Sequence, residues 1–133
     1  MKKITGFWPV LVALLIPAIG AMAHHGTAGY YDKDKLVRIE GVVVEFHFRN
    51  PHAGLFLASK NDAGEDIVYA LEMGSPGQLA KAGYTRRTFR PGDKVVADMN
   101  PAFNSPTSGQ LFIGRGSIWI NGELFSSPDT SEE

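Results

Sequence analysis

Four histidines and one glutamate are the residues of this chain whose types and spacing can do chemistry. His24 and His25 follow Ala21-Met22-Ala23 directly, His47 lies in an alternating stretch, His52 follows Asn50-Pro51, and Glu72 ends the apolar run Ile67-Val68-Tyr69-Ala70-Leu71. Ala21-Met22-Ala23 is a small-residue cleavage pattern, and a cut after Ala23 makes His24 the mature N-terminus. A terminal histidine offers an α-amine and an imidazole from one residue. Joined by a second imidazole, that pair suits the tetragonal preference of copper(II). His52, held in a tight turn, is the expected second imidazole. His25 competes with it, although neighbouring rings do not easily turn to one ion while the terminal amine is also bound. Glu72 is a candidate third ligand or general base. The expected metal set is therefore His24, His25, His52 and Glu72, with copper as the ion. A cut one residue earlier gives Ala23-His24-His25, in which amine, two backbone amides and an imidazole surround copper(II) or nickel(II) without any fold.

The same residues fit a plainer role. Paired histidines suit a polar terminus, His52 can bond its own turn, and Glu72 suits the positive end of the helix that follows. His47 reads as a satisfied strand residue. Met73 and Met99 have thioethers for copper(I), yet methionine is more often a core filler.

Export is the expected address. Lys2 and Lys3 form a positive n-region, and Phe7 to Ile19 form an apolar stretch ahead of the cleavage pattern. The segment from Ile4 to Ala23 is about long enough to span a bilayer. Pro9, Pro17 and Gly20 interrupt it, and without a cysteine it cannot become a lipid anchor. The reading is thus a periplasmic protein with residues 1–23 as signal peptide and no stable membrane anchor after cleavage. Cleavage leaves 110 residues, with 11 basic against 14 acidic side chains. That is one small domain, mildly acidic, without the electrostatic footprint of a nucleic-acid binder. The absence of cysteine excludes disulfides, thiolate metal sites and cysteine nucleophiles, so an apolar core alone must hold the fold.

Elements that would carry these residues follow from periodicity. Leu36 to Phe48 alternates as one long strand, with Gly41 marking a bulge or bend. Ala53 to Ser59 and Ile67 to Glu72 read as a hairpin around Asn61-Asp62-Ala63-Gly64-Glu65. Ser75-Pro76, Leu79 and Gly83 predict a short capped helix. Lys94 to Met99 reads as a fourth strand and Leu111 to Ile120 as a fifth, with a loop from Asn100 to Gln110 between them. Asn121-Gly122 predicts a tight turn into a short return at Glu123-Leu124-Phe125. This order predicts a mainly β fold, a small five-stranded OB-like Greek-key barrel over residues 24–125 with one short helix between strands 3 and 4. An open β-sandwich is the alternative. Residues 126–133 read as a disordered acidic tail.

A different function fits the same barrel: a non-enzymatic OB-type module for a small ligand or protein partner. It would use an aromatic cleft around Tyr84, Phe89 and Arg86 and the loop from Asn100 to Gln110. Arg38, Arg49, Arg86, Arg87, Arg90 and Arg115 read mainly as a solvated face. No nucleophile elbow, phosphate loop or paired-carboxylate motif is present, so catalysis has no support beyond a metal.

Across nearly all of the mature chain the pattern resembles a family of small exported bacterial proteins of unknown function. The likeness rests on Ala23-His24-His25, Asp32, Gly41-Val42-Val43, Asn50-Pro51-His52, Leu71-Glu72, Gly74-Ser75-Pro76, Leu79, Gly83-Tyr84 and Arg90-Pro91-Gly92-Asp93. The chain departs from it at Phe48, where the family usually has tryptophan or a similar aromatic, at Tyr84, where it has tryptophan, and at Gly26 to Tyr30, where it more often has serine and phenylalanine. The resemblance implies a periplasmic β-barrel-like domain and brings no established activity or ligand.

Overall fold

The computed structural model describes residues 29–128. β1 (Val37–His47), β2 (Gly54–Lys60) and β3 (Asp66–Glu72) form an antiparallel meander, followed by the helix α1 (Pro76–Lys81). β4 (Lys94–Ala102) pairs with β1, and β5 (Ser105–Gln110) lies between β4 and β3. The order β1-β2-β3-β5-β4 closes on itself through the β1–β4 pairing, and β3–β5 is the one parallel contact within this ring. The result is a closed five-stranded OB-like barrel with a short helix between β3 and β4. β6 (Ile118–Ile120) and β7 (Glu123–Ser126) form a hairpin added to the outer side of β4. Its turn carries left-handed backbone at Asn121 and Gly122, as the Asn-Gly pair requires.

β1 serves two neighbours because its sequence lets it bend. Its first half, to Val42, pairs with β4, and its second half, from Val42, pairs with β2. At the handover Gly41 admits β2 closely: a Cβ there would lie 2.7 Å from the Ala58 carbonyl oxygen. The bulge itself falls at Val44, between the pairs Val43–Leu57 and Glu45–Phe56. One extra residue reverses the inward set. Ile39 and Val43 are therefore buried before the bulge, and Phe46 packs on the core after it, while Val42 and Val44 face solvent.

The core gathers Leu55, Leu57, Leu71, Leu79, Phe89 and Val95, each at most 2% exposed. α1 is only six residues long, and its start is fixed by a capping box: Gln78 N–H donates to Ser75 Oγ, and Ser75 N–H to Gln78 Oε1. Pro76 sits in its first turn and Leu79 seats it on the core.

The fifth barrel strand differs from the expectation. Ser105–Gln110, read as part of a loop, is β5, and of Leu111 to Ile120 only the last three residues are strand, outside the barrel. β5 has no apolar alternation to announce it. Its place comes from main-chain pairing on both sides and from Gly109, whose missing side chain leaves room for Met99 and the Asn100 carbonyl.

Candidate functional site

Glu72 is the last residue of β3, and three main-chain bonds lock the backbone around it. Leu111 N–H donates to the Glu72 carbonyl at 2.9 Å, Met73 N–H to the Ala53 carbonyl at 2.9 Å, and Ala53 N–H to the Gly74 carbonyl at 3.0 Å. The last two place His52, one residue before Ala53, beside the end of β3. His52 Nδ1 lies 3.4 Å from Glu72 Oε1, an ion-pair contact looser than a formed hydrogen bond. Gln110, the last residue of β5 and the parallel partner of Glu72, donates from Nε2 to the same oxygen at 3.3 Å. Tyr31 donates its phenol O–H to Glu72 Oε2 at 3.3 Å. Burial, and next the charge and hydrogen bond of Glu72, push the Tyr31 pKa up to about 12.

A cleft of about 400 Å³ opens beside this group, lined by His52, Met73, Gln78, Gln110 and Phe112 among others. Gln110 Oε1 is buried without a hydrogen-bond partner among the described residues. A larger groove, of about 650 Å³, runs over Glu40, Val42, Ala58, Lys60 and Lys94 and contains no imidazole.

Two of the expected metal residues, His52 and Glu72, thus meet at one end of the barrel, while His24 and His25 lie outside the described residues. Among the described residues no three His, Asp or Glu side chains gather as a metal site. His47 keeps separate partners, Glu45 on one ring nitrogen and Arg49 on the other. Met73 and Met99 are each 1% exposed and pack in the core. The partners of Glu72 are side chains from three elements rather than the start of α1.

The aromatic cleft expected for a binding module is not built from the residues named for it. Tyr84 and Phe89 are buried, with Phe125 packed edge-on to Tyr84 and Phe46 edge-on to Phe89. Burial also raises the Tyr84 pKa. The segment from Asn100 to Gln110 is strand and tight turn. The arginines are spread over distinct contacts: Arg38 on Asp98 and the Trp119 ring, Arg86 over Phe48, and Arg115 over Phe112. No described helix is long and apolar enough to cross a membrane.

Sequence reasoning missed Tyr31, Asn100 and Gln110. Tyr31 precedes the first strand, where no periodicity places it. Asn100 and Gln110 fall in the stretch read as a loop, and the alternation of Val95, Ala97 and Met99 would have extended the strand past Asn100 while turning Pro101, not Asn100, inward.

Fold and site together define a small OB-type barrel with a histidine–carboxylate pair fixed at one end. The chain belongs to a family of unknown function, DUF6152, which it matches over residues 12–111. A comparison with curated proteins gives no match.

Proposed function

We propose that this protein is an exported, periplasmic metal-handling protein that binds a transition-metal ion, copper(II) foremost, between His52 and the histidines of its mature N-terminus. The observation that carries the reading is the chain of contacts from His52 to Glu72 to Tyr31. Tyr31 stands only seven residues after His24 in the sequence, a span of at most about 25 Å of extended chain. The terminal amine and imidazole of His24, with His25 as the rival imidazole, are therefore tethered within reach of His52.

Glu72 enters this site through His52. A metal-binding imidazole commonly presents its second ring nitrogen to a carboxylate, which fixes the ring and raises its basicity. With Nδ1 directed at Glu72, His52 offers Nε2 to the ion. Both oxygens of Glu72 already have partners, which favours an orienting role over that of a third ligand. The handling role, binding without turnover, is supported by a sequence that contains no nucleophile elbow, phosphate loop or paired-carboxylate motif.

The test is mass spectrometry of the exported protein to find its first residue, then copper(II) titration of that species and of His24→Ala and His52→Ala. The reading expects His24 as residue one and weaker binding in each variant. Unchanged affinity in both removes it. A second reading, a module for a small hydrogen-bonding ligand, draws on the cleft beside Gln110 and its unpartnered Oε1. It expects neither variant to alter copper binding.

A further inference from the structure

β3 and β5 run parallel, and the cleft of about 400 Å³ opens just past the carboxyl ends of both. Glu72–Gln110 is the last pair of this ladder, and Leu111 N–H to the Glu72 carbonyl is its last bond among the described residues. Beyond it the two chains part, because the Gly74 carbonyl accepts from Ala53 N–H instead. Met73 and Gly74 line the opening from the β3 side, and Leu111, Phe112 and Ile113 from the β5 side. In open α/β sheets, ligands settle in the crevice outside the carboxyl ends of diverging parallel strands, and this barrel makes a comparable opening at its one parallel contact.

The lining sets the chemistry. It contains no Asp, Glu, Lys or Arg side chain, and four of its members are large and apolar. Gln110, also on the lining, is only 6% exposed. Its Nε2 is spent on Glu72, and its Oε1 has no donor among the described residues. Such a buried acceptor is costly unless a donor is brought to it. His52 adds a second acceptor: with Nδ1–H directed at Glu72, the neutral ring keeps a lone pair on Nε2. A charged head in this cleft would lose its water without gaining an opposite charge from the lining.

We propose that the cleft binds a small uncharged amide on an apolar body, its N–H donating to Gln110 Oε1 and its body packed against Met73, Leu111, Phe112 and Ile113. The proposal goes beyond the metal reading. It rests on the second reading, a module for a small hydrogen-bonding ligand, and names the chemistry that the cleft selects. A volume of about 400 Å³ suits a ligand of that size.

The probe is benzamide, titrated into the metal-free, isotope-labelled protein beginning at His24 and followed by nuclear magnetic resonance. Benzylamine and benzoate, which keep the ring and change the head to a cation or an anion, are run beside it. The expected result is saturable shifts at Gln110, Leu111, Phe112 and Ile113 with benzamide, and binding about tenfold or more weaker for both charged analogues. Gln110→Met, which keeps the length and removes the acceptor, is expected to weaken benzamide by about tenfold. Because Gln110 also holds Glu72, Ile113→Trp provides a second check at a partly exposed position: the larger ring obstructs the cleft and abolishes the shifts. Equal or tighter binding of either charged analogue overturns the assigned chemistry and leaves the cleft a ligand site. Benzamide shifts that fall elsewhere, or that neither variant alters, overturn the proposal. If none of the three compounds binds saturably, the second reading falls with it.

Discussion

His52 Nδ1 stands 3.4 Å from Glu72 Oε1 across the end of the barrel, one residue carried by the connection from β1 to β2 and the other by the last position of β3. The contact exists because β2 and β3 pair in the register Gly54–Glu72 and because the backbone at Ala53 bonds Met73 and Gly74 just beyond. Tyr31 and Gln110 hold the same carboxylate from two further elements. Four separate stretches of sequence thus converge on one side chain.

That convergence makes Tyr31 a reporter of Glu72. Its neutral phenol is favoured in the folded protein, so this stabilisation is complete below the ordinary tyrosine pKa, about 10, and is lost as pH rises towards about 12. Glu72→Gln removes the negative charge and leaves burial, so the Tyr31 transition moves part of the way back towards 10. Alkaline absorbance titration, with Tyr31→Phe to identify the transition, checks this. A titration curve unchanged by Glu72→Gln contradicts the contact.

Asp98 contributes to the acid limb of stability. The Arg38 guanidinium, bonded to both its oxygens at 2.8 and 3.0 Å, holds the carboxyl below its usual range, with help from Ser117 N–H. A lowered carboxylate pKa contributes stability above the ordinary value, near 3.9, and loses it as pH falls through the folded value. Urea denaturation between about pH 5 and pH 2 is expected to show a shallower fall in Asp98→Asn than in the wild type. Parallel curves count against the assignment.

Two glycines separate close approach from open space. At Gly41 an added Cβ meets the Ala58 carbonyl oxygen at 2.7 Å and Leu57 Cβ at 2.9 Å. Gly41→Ala therefore costs about 1–3 kcal/mol as β1 is pushed away from β2. Gly77, inside α1, has nothing within 4 Å of such an atom. Gly77→Ala is expected to stabilise by about 0.4–1 kcal/mol through the unfolded chain. Chemical denaturation of both variants tests the opposite signs, and two losses of similar size contradict the packing described for Gly41.

The elements legible in the sequence were those with local causes. The short helix capped at Ser75, the hairpin of β2 and β3 and the Asn121-Gly122 turn each depend on neighbours within a few residues. β5 was not legible, because Ser105-Pro106-Thr107-Ser108-Gly109-Gln110 becomes a strand through pairing with β3 and β4 rather than through its own pattern. The bulge at Val44 was equally hidden, and Gly41 pointed only near it. His52 and Glu72 stood out by residue type. Their meeting depends on long-range register, and Tyr31, Asn100 and Gln110 owe their places to the same closure of the barrel.

In the proposed site His52 shares a metal ion with an N-terminus that begins at His24. Electron paramagnetic resonance of the protein beginning at His24, loaded with one equivalent of copper(II) and compared with His52→Ala, tests this sharing. The expected result is that His52→Ala removes one imidazole nitrogen from the copper signal and lowers affinity by about tenfold or more. An identical signal and affinity in the two proteins would contradict it.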